Sequence, residues 1–334
     1  MISRRVTPTI FINSKDATQD LSPFLKSISF SDELESKADS LELELVDRDR
    51  LFIDDWFPPL GSTLKVSLTK KNFSDNQEEN FSYGEFEIDE VTCSFPPSEF
   101  KIKAVSISQN SGLRQHDESK SWENVRLSEI AAQIAQDSGV TLFYEASDDP
   151  LINRAEQGEQ SRLAFLEKLC KKYYLVLKVT DKTLVIFDES KLDAQEPVIV
   201  FERDTSPILR FNVRTTLQEV YKSCEVNYAH EKHDELYKGV FDSGKETGKV
   251  LKINKKVDSQ QEAEKLAKNE LRQKNKKETT LQLETIGDFC LLAGNVVELK
   301  SFGKFDGRYL IEKARHEIGN GYTARLELRR CLDY

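Results

Sequence analysis

The chain has 334 residues, 38% of them hydrophobic and 32% charged, with a formal net charge of −10 at pH 7. That length allows two or three domains with a well-buried core, and the acidic balance argues against general nucleic-acid binding by phosphate neutralisation, leaving only local basic patches. Five cysteines, Cys93, Cys170, Cys224, Cys290 and Cys331, are far apart and odd in number, which argues against a disulfide framework or a CxxC-type zinc site and for folding in a reducing cytosol.

The start, "MISRRVTPTIFIN", has a basic pair but no apolar run long enough for a signal peptide. No window approaches the roughly 18 apolar residues of a membrane helix, so no membrane insertion is expected. The first hundred residues read as strands. In "DSLELELVD", Leu41, Leu43 and Leu45 alternate with Glu42 and Glu44, the period-2 signature of a half-buried strand. "PPLGSTLKVSL" repeats it after a turn at Pro58, Pro59 and Gly61, with Leu64, Val66 and Leu68 on one face. "YGEFEIDEVTCSFPPSEFKIKAVSI" reads as a hairpin turning at Phe95 to Ser98, and the polar "KKNFSDNQEENFS" before it as an exposed loop.

From Trp122 the period changes. Leu127, Ile130, Ala131 and Ile134 share a helical face that Gly139 ends, and a short strand follows. A second unit has Ser161 as cap, Leu163, Leu166 and Leu169 as the apolar stripe, and a strand from Leu175 to Val179. "TLVIF" (183–187) adds a strand, so the middle of the chain is a small α/β region. Pro197 marks a return to strands in "PVIVFER" and "PILRFNVR". The segment from about 229 to 278 is strongly charged and expected to be helical. Within it Asp258 or Ser259 caps a helix whose stripe is Ala263, Leu266, Ala267 and Leu271. Its lysines read as a solvated face, with a contact surface for an acidic partner as the sharper alternative.

His316, one of four histidines, lies in "GRYLIEKARHEIGNGYTARLEL". "GNG" (319–321) is a hairpin loop, and pairing Ile318 with Tyr322 sets His316 opposite Ala324 on an apolar face. A general base needs an orienting partner, and none is visible, so His316 reads as structural. The C-terminal run also repeats the plan of residues 58–104. A glycine turn (Gly61; Gly294) leads to an alternating strand, and a second glycine (Gly84; Gly307) precedes a hairpin.

These stretches, in order, resemble the phage late control protein D family, the baseplate hub proteins of contractile tails, related to the hub portion of type VI secretion spike proteins. "DSLELELVDRD" with "PPLGSTLKVSL", "SWENVRLSEIAAQIAQDSGV", "QSRLAFLEKLCKKYYLVL" and "EAEKLAKNELRQKN…GDFCLLAGNVVEL…GKFDGRYLIEKARHEIGNGYTARLELRR" carry the resemblance over nearly the whole chain. Ser161–Arg162 departs from the usual Ser–Asp pair, and Tyr173–Tyr174 stands where a glycine is common. The resemblance implies an α+β, mainly β fold: two similar barrel-like antiparallel β domains, 1–108 and 196–334, flanking an α/β region at 109–195. It implies a homotrimeric ring of pseudo-sixfold symmetry that joins a hexameric tail tube protein to a trimeric spike protein, alongside other baseplate proteins. The setting is a virion or phage-like particle assembled in the bacterial cytoplasm, with nucleic acid only as cargo in a channel that an acidic chain would keep from sticking.

No catalytic, cofactor or metal residue is assigned. There is no HExxH, no GxSxG and no Cys/His pairing of recognisable context, and the end at "RRCLDY" leaves no expected room for an appended lysozyme. A peptidoglycan hydrolase remains one alternative. A receptor- or carbohydrate-binding tail module is the other, with Trp56 in "DDWFPPLG" either exposed or packed on the prolines. "DRDR" (47–50) and Asp54–Asp55 lack EF-hand spacing and read as a solvated turn. The "NFS" sequences at Asn72 and Asn80 read as noise in a cytosolic chain.

Overall fold

The structure, a computed structural model, describes residues 5–35, 38–72, 78–107, 112–114, 119–180, 182–230, 235–257 and 259–334. The alternating N-terminal runs form β1 (Arg5–Ile12), β2 (Lys15–Asp16), β3 (Leu25–Glu33), β4 (Ser40–Val46), β5 (Thr63–Lys71), β6 (Glu78–Ser94) and β7 (Glu99–Val105), with one helical turn α1 (Thr18–Leu21). They lie in the order β3-β4-β7-β6-β5-β1-β2 and pair antiparallel. Leu41, Leu43, Leu45, Leu64, Val66 and Leu68 are fully buried, packed with Phe100, Ile102 and Ala104. Each such side chain stabilises the fold by about 1.5–3 kcal/mol.

The polar stretch expected as a loop is largely strand. Lys71 bridges Glu78 at 2.6 Å, and Thr69 Oγ1 donates to Asn80 Oδ1 at 2.7 Å. Cross-strand polar pairs of this kind extend a hairpin without any apolar alternation. Residues 73–77, at its centre, lie outside the described residues.

The middle region contains β8 (Lys120–Arg126), α2 (Leu127–Ser138), β9 (Thr141–Tyr144), β10 (Leu151–Gln157), α3 (Arg162–Lys172), β11 (Val176–Thr180), β12 (Thr183–Phe187) and the short α4 (Glu189–Asp193). Gly139 ends α2 at φ +67°, and Ser161 caps α3 by accepting from the Ala164 amide at 3.2 Å. The buried stripe of α3 is Phe165, Leu166, Leu169 and Cys170, with Leu163 only partly buried at its margin. Tyr174 sits at φ +60°, the left-handed conformation that glycine adopts without cost. Arg162 donates to the Asp137 carbonyl at 2.9 Å, tying α3 to the end of α2.

The rest of the chain forms β13 (Ile199–Glu202), β14 (Ile208–Thr215), β15 (Tyr221–His230), β16 (Glu235–Asp242), β17 (Lys249–Asn254), α5 (Gln260–Asn275), β18 (Thr279–Ile286), β19 (Val296–Lys300), β20 (Gly307–Gly319) and β21 (Gly321–Arg330). The charged segment at about 229–278 is therefore not helical throughout. It holds β16 and β17, which flank β15 in a separate sheet, and only its last third is α5. Charged residues at exposed strand positions had hidden the period of two. Ser259 caps α5 at 3.1 Å; Asp258 lies outside the described residues. Ala263, Leu266, Ala267 and Leu271 are buried as expected. Gly239 of β16 is required by that packing, since a Cβ there would come within 2.1 Å of the Ala263 carbonyl oxygen.

The repeat read from the sequence extends to six strands. The orders β1-β5-β6-β7-β4-β3 and β13-β19-β20-β21-β18-β14 match strand for strand in chain order. One departure is that β13 runs parallel to β19 whereas β1 runs antiparallel to β5. Another is the insertion of β15–β17 and α5 between β14 and β18. Gly61, Gly84, Gly294 and Gly307 all have positive φ, at 83°, 93°, 97° and 133°. The amides of Ile88 and Ile311 donate to Ser62 and Asn295, each just after a turn glycine, at 2.9 Å. This equates Gly84 with Gly307. The buried face of β6 then shifts at a bulge between Ile88 and Glu90, and that of β20 shifts between Ile311 and Ala314. Val91 and Cys93 thereby correspond to Ala314 and His316.

By internal packing the chain divides into two compact units. One is Met1–Glu189 with Glu284–Gly294 and Glu312–Leu326; the other is Ser190–Leu283 with Asn295–Ile311 and Glu327–Tyr334.

Candidate functional site

His316 lies in the first unit on β20 and is 1% exposed. Its Nε2 is 2.9 Å from the Leu291 carbonyl, which can only accept, so Nε2 carries the proton. Nδ1 therefore accepts from the Tyr322 hydroxyl at 2.8 Å. Ala314, Ala324, Leu326 and Leu328 are also buried, as expected of the hairpin's apolar face. Burial holds the imidazole pKa below its ordinary value, outweighing the Leu291 hydrogen bond. Both nitrogens are engaged and water is excluded, so this histidine fixes a turn rather than moving a proton. The Tyr83 hydroxyl beside Tyr322 makes no hydrogen bond of regular geometry.

Also in the first unit, Asp32 and Asp39 are each 3% exposed. Asp32 accepts from the Lys178 ammonium and from the Ala293 amide at 2.8 Å. Burial, then the charge of Asp32, pushes the Asp39 carboxyl up to about 7, against the opposing effect of Lys178. One ammonium thus faces two carboxyls, and Asp39 holds a proton toward Asp32. In the second unit the arrangement is reversed. Asp193, 1% exposed, accepts from Arg329 at 2.8 Å and from Arg272 at 2.5 Å. Arg272 also donates to the Tyr334 main-chain oxygen, and Asn275 to the Tyr334 hydroxyl at 2.8 Å.

The cysteines offer no activated nucleophile by charge pairing. Burial pushes Cys170, Cys290 and Cys331 up to about 12 and Cys224 up to about 11, and Cys93 alone is exposed. Among the described residues no group of three or more His, Cys, Asp or Glu could hold a metal ion. Among them, too, no helix is long and apolar enough to cross a membrane.

The first acidic turn is not simply solvated. Asp47 is 3% exposed and accepts from the Phe52 amide at 3.3 Å, while Asp54 and Asp55 face solvent. Trp56 packs edge-on against Phe24 and Phe52 and remains 42% exposed. Trp122 is buried against Phe165. On α5 the exposed Lys265 and Lys268 alternate with Glu262 and Glu264, a mixed-sign face that suits solvent.

Two strand edges stand out. β14 has β18 on one side and, among the described residues, no strand on the other. β6 meets β5 only as far as Glu87 and β7 on its opposite edge, so residues 90–94 have, among the described residues, no strand on the β5 side. Leu209 on β14 is 58% exposed, and Phe95, in the turn just after β6, is 81% exposed. The corresponding stretch of β20 is covered: beyond β19, Lys313 to Ile318 pair antiparallel with Glu33 to Ile28 of β3. The sequence shows both strands but not which edges lack neighbours.

The fold is that of phage tail proteins. A tail protein of Neisseria meningitidis superposes with a TM-score of 0.71 at 14% identity, over 97% of this chain and 96% of that one. A prophage MuSo2 tail protein of Shewanella oneidensis gives 0.68 at 14% identity, over 98% and 97%. A component of the E. coli type VI secretion system, itself structurally similar to T4 bacteriophage tail proteins, gives 0.60 at 9% identity, over 92% and 73%. No curated protein sequence matches the chain. The YQBQ-like family matches residues 98–329, most of the chain, and this protein belongs to that family.

Proposed function

We propose that this chain is a non-catalytic structural protein of a contractile tail, the baseplate hub, in a phage, a phage-like bacteriocin or an injection system. The observation that carries the reading is the duplicated six-strand unit. Three chains with two such units each provide six similar elements, matching a sixfold tube on one face while keeping threefold order for a spike on the other. The regions 1–108 and 196–334 form the ring in this reading, and 109–195 braces neighbours or meets the spike. The likeness to tail proteins supports it, as does the family. An acidic chain suits a channel that must pass nucleic acid or a tape-measure protein without retaining it.

Native mass spectrometry or light scattering tests it. A species of about 115 kDa, three times the 38.3 kDa of one chain, is expected of the chain alone, or a heavier complex holding three copies once the spike protein is added. A chain that stays monomeric in both conditions refutes the ring and returns attention to a hydrolase or receptor-binding module.

A further inference from the structure

We infer that the open edge of β14 is the docking site for a second copy of this chain, and that residues 90–94 of the neighbour's β6 pair with it antiparallel. This rests on the ring reading and names the edges that would close it. Inside one chain the second repeat already grips the first through β20 and β3. β6 and β14 are the counterparts of β20 and β3 by strand order, glycine position and bulge. The same junction between successive copies joins the first repeat of one to the second repeat of the next. It pairs these two edges with each other and leaves neither of them to drive uncontrolled aggregation.

Exposure supports the pairing. His316 is 1% exposed with β3 alongside, whereas its counterpart Cys93 on β6 is exposed. Val91 and Cys93 share one face of β6, and Leu209, Phe211 and Val213 share one face of β14, so apolar sides meet. The opposite faces are complementary in charge. β14 carries exposed Arg210 and Arg214, and β6 carries exposed Glu90, paired with Lys103 at 3.5 Å in its own chain. The internal junction has the opposite polarity, with Lys313 on β20 bridging Glu33 on β3 at 2.7 Å. The two junctions are thus told apart by sign, which disfavours β6 at β3 or β20 at β14.

Cys93 supplies the test. Cysteines are placed singly at Leu209, Arg210, Phe211, Asn212, Val213 and Arg214 in the full chain, and the assembled protein is oxidised mildly. Intermolecular disulfides to Cys93 are expected from Leu209→Cys, Phe211→Cys or Val213→Cys and not from the alternate positions, and Cys93→Ser abolishes them. Arg210→Glu with Arg214→Glu is expected to weaken assembly about tenfold, and Glu90→Lys to restore it. An oligomer that forms without these cross-links, or cross-links equally from both faces, overturns the inference and leaves the ring reading standing. A chain that never assembles, even with the spike protein, overturns both.

Discussion

Replacing Asp39 with asparagine should change how stability depends on pH. Asp39 ordinarily titrates near 3.8 and is pushed up to about 7 by burial and by Asp32. Between those values the folded chain holds a proton that the unfolded chain has lost. Stability from this group is therefore fully present below its unfolded value and is lost as pH rises through about 7. From pH 5 to pH 8 the folded state binds nearly one extra proton over about two pH units, which at 1.36 kcal/mol per unit is a loss of about 2.5 kcal/mol. An asparagine side chain would keep the shape and donate to Asp32 without titrating. Urea midpoints of both proteins, measured from pH 5 to pH 8, isolate the effect, because the other carboxylates are common to both. The variant's advantage should grow with pH across that window. A constant difference between the two curves would refute a proton shared by the buried pair.

His316→Ala should cost about 2–4 kcal/mol, since it leaves the Leu291 carbonyl and Tyr322 hydroxyl unpaired beside a cavity; denaturant titration measures it. The depressed pKa of His316 also predicts that NMR finds its ring neutral at pH 7, with stability falling as pH drops below the ordinary histidine value. Asp193→Ala should cost about 3–5 kcal/mol, because Arg272 and Arg329 are left facing each other in a buried site; a drop in melting temperature reads it. Gly239→Ala should detach α5 from β16, seen as faster amide exchange in Gln260–Asn275, since no side chain at Ala263 can yield to a backbone clash. Tyr174→Gly should raise stability by up to about 1 kcal/mol by removing a left-handed residue, and an unchanged or lower melting temperature would show that its ring contacts matter more.

Alternating apolar residues made the β4 and β5 strands legible, because one buried face imposes a period of two. The helix ends at Gly139, Ser161 and Ser259 were legible for a similar reason: terminal backbone groups need particular partners. β16, β17 and the extension of β5 into β6 were not, because their exposed positions carry charge, although β16 and β6 form hairpins with the strands just before them. His316 was read correctly as a packed residue from hairpin register alone. The Asp32–Asp39 and Asp193–Arg329 clusters were invisible, since they join residues whose closeness only the fold creates. The open edges were invisible too, because a missing neighbour leaves no mark in the strand that lacks it.

The four positive-φ glycines and the paired bulges bear on how such chains record their ancestry. Side chains at equivalent positions differ as far as Cys93 and His316. The glycines coincide in both halves, at positive φ where most other side chains are strained whatever surrounds them. Punctuation of the backbone thus outlives the vocabulary of the core. An ancient doubling of a gene can be dated or missed depending on which is compared, and aligning halves on their turns and bulges would recover kinship that residue similarity has lost.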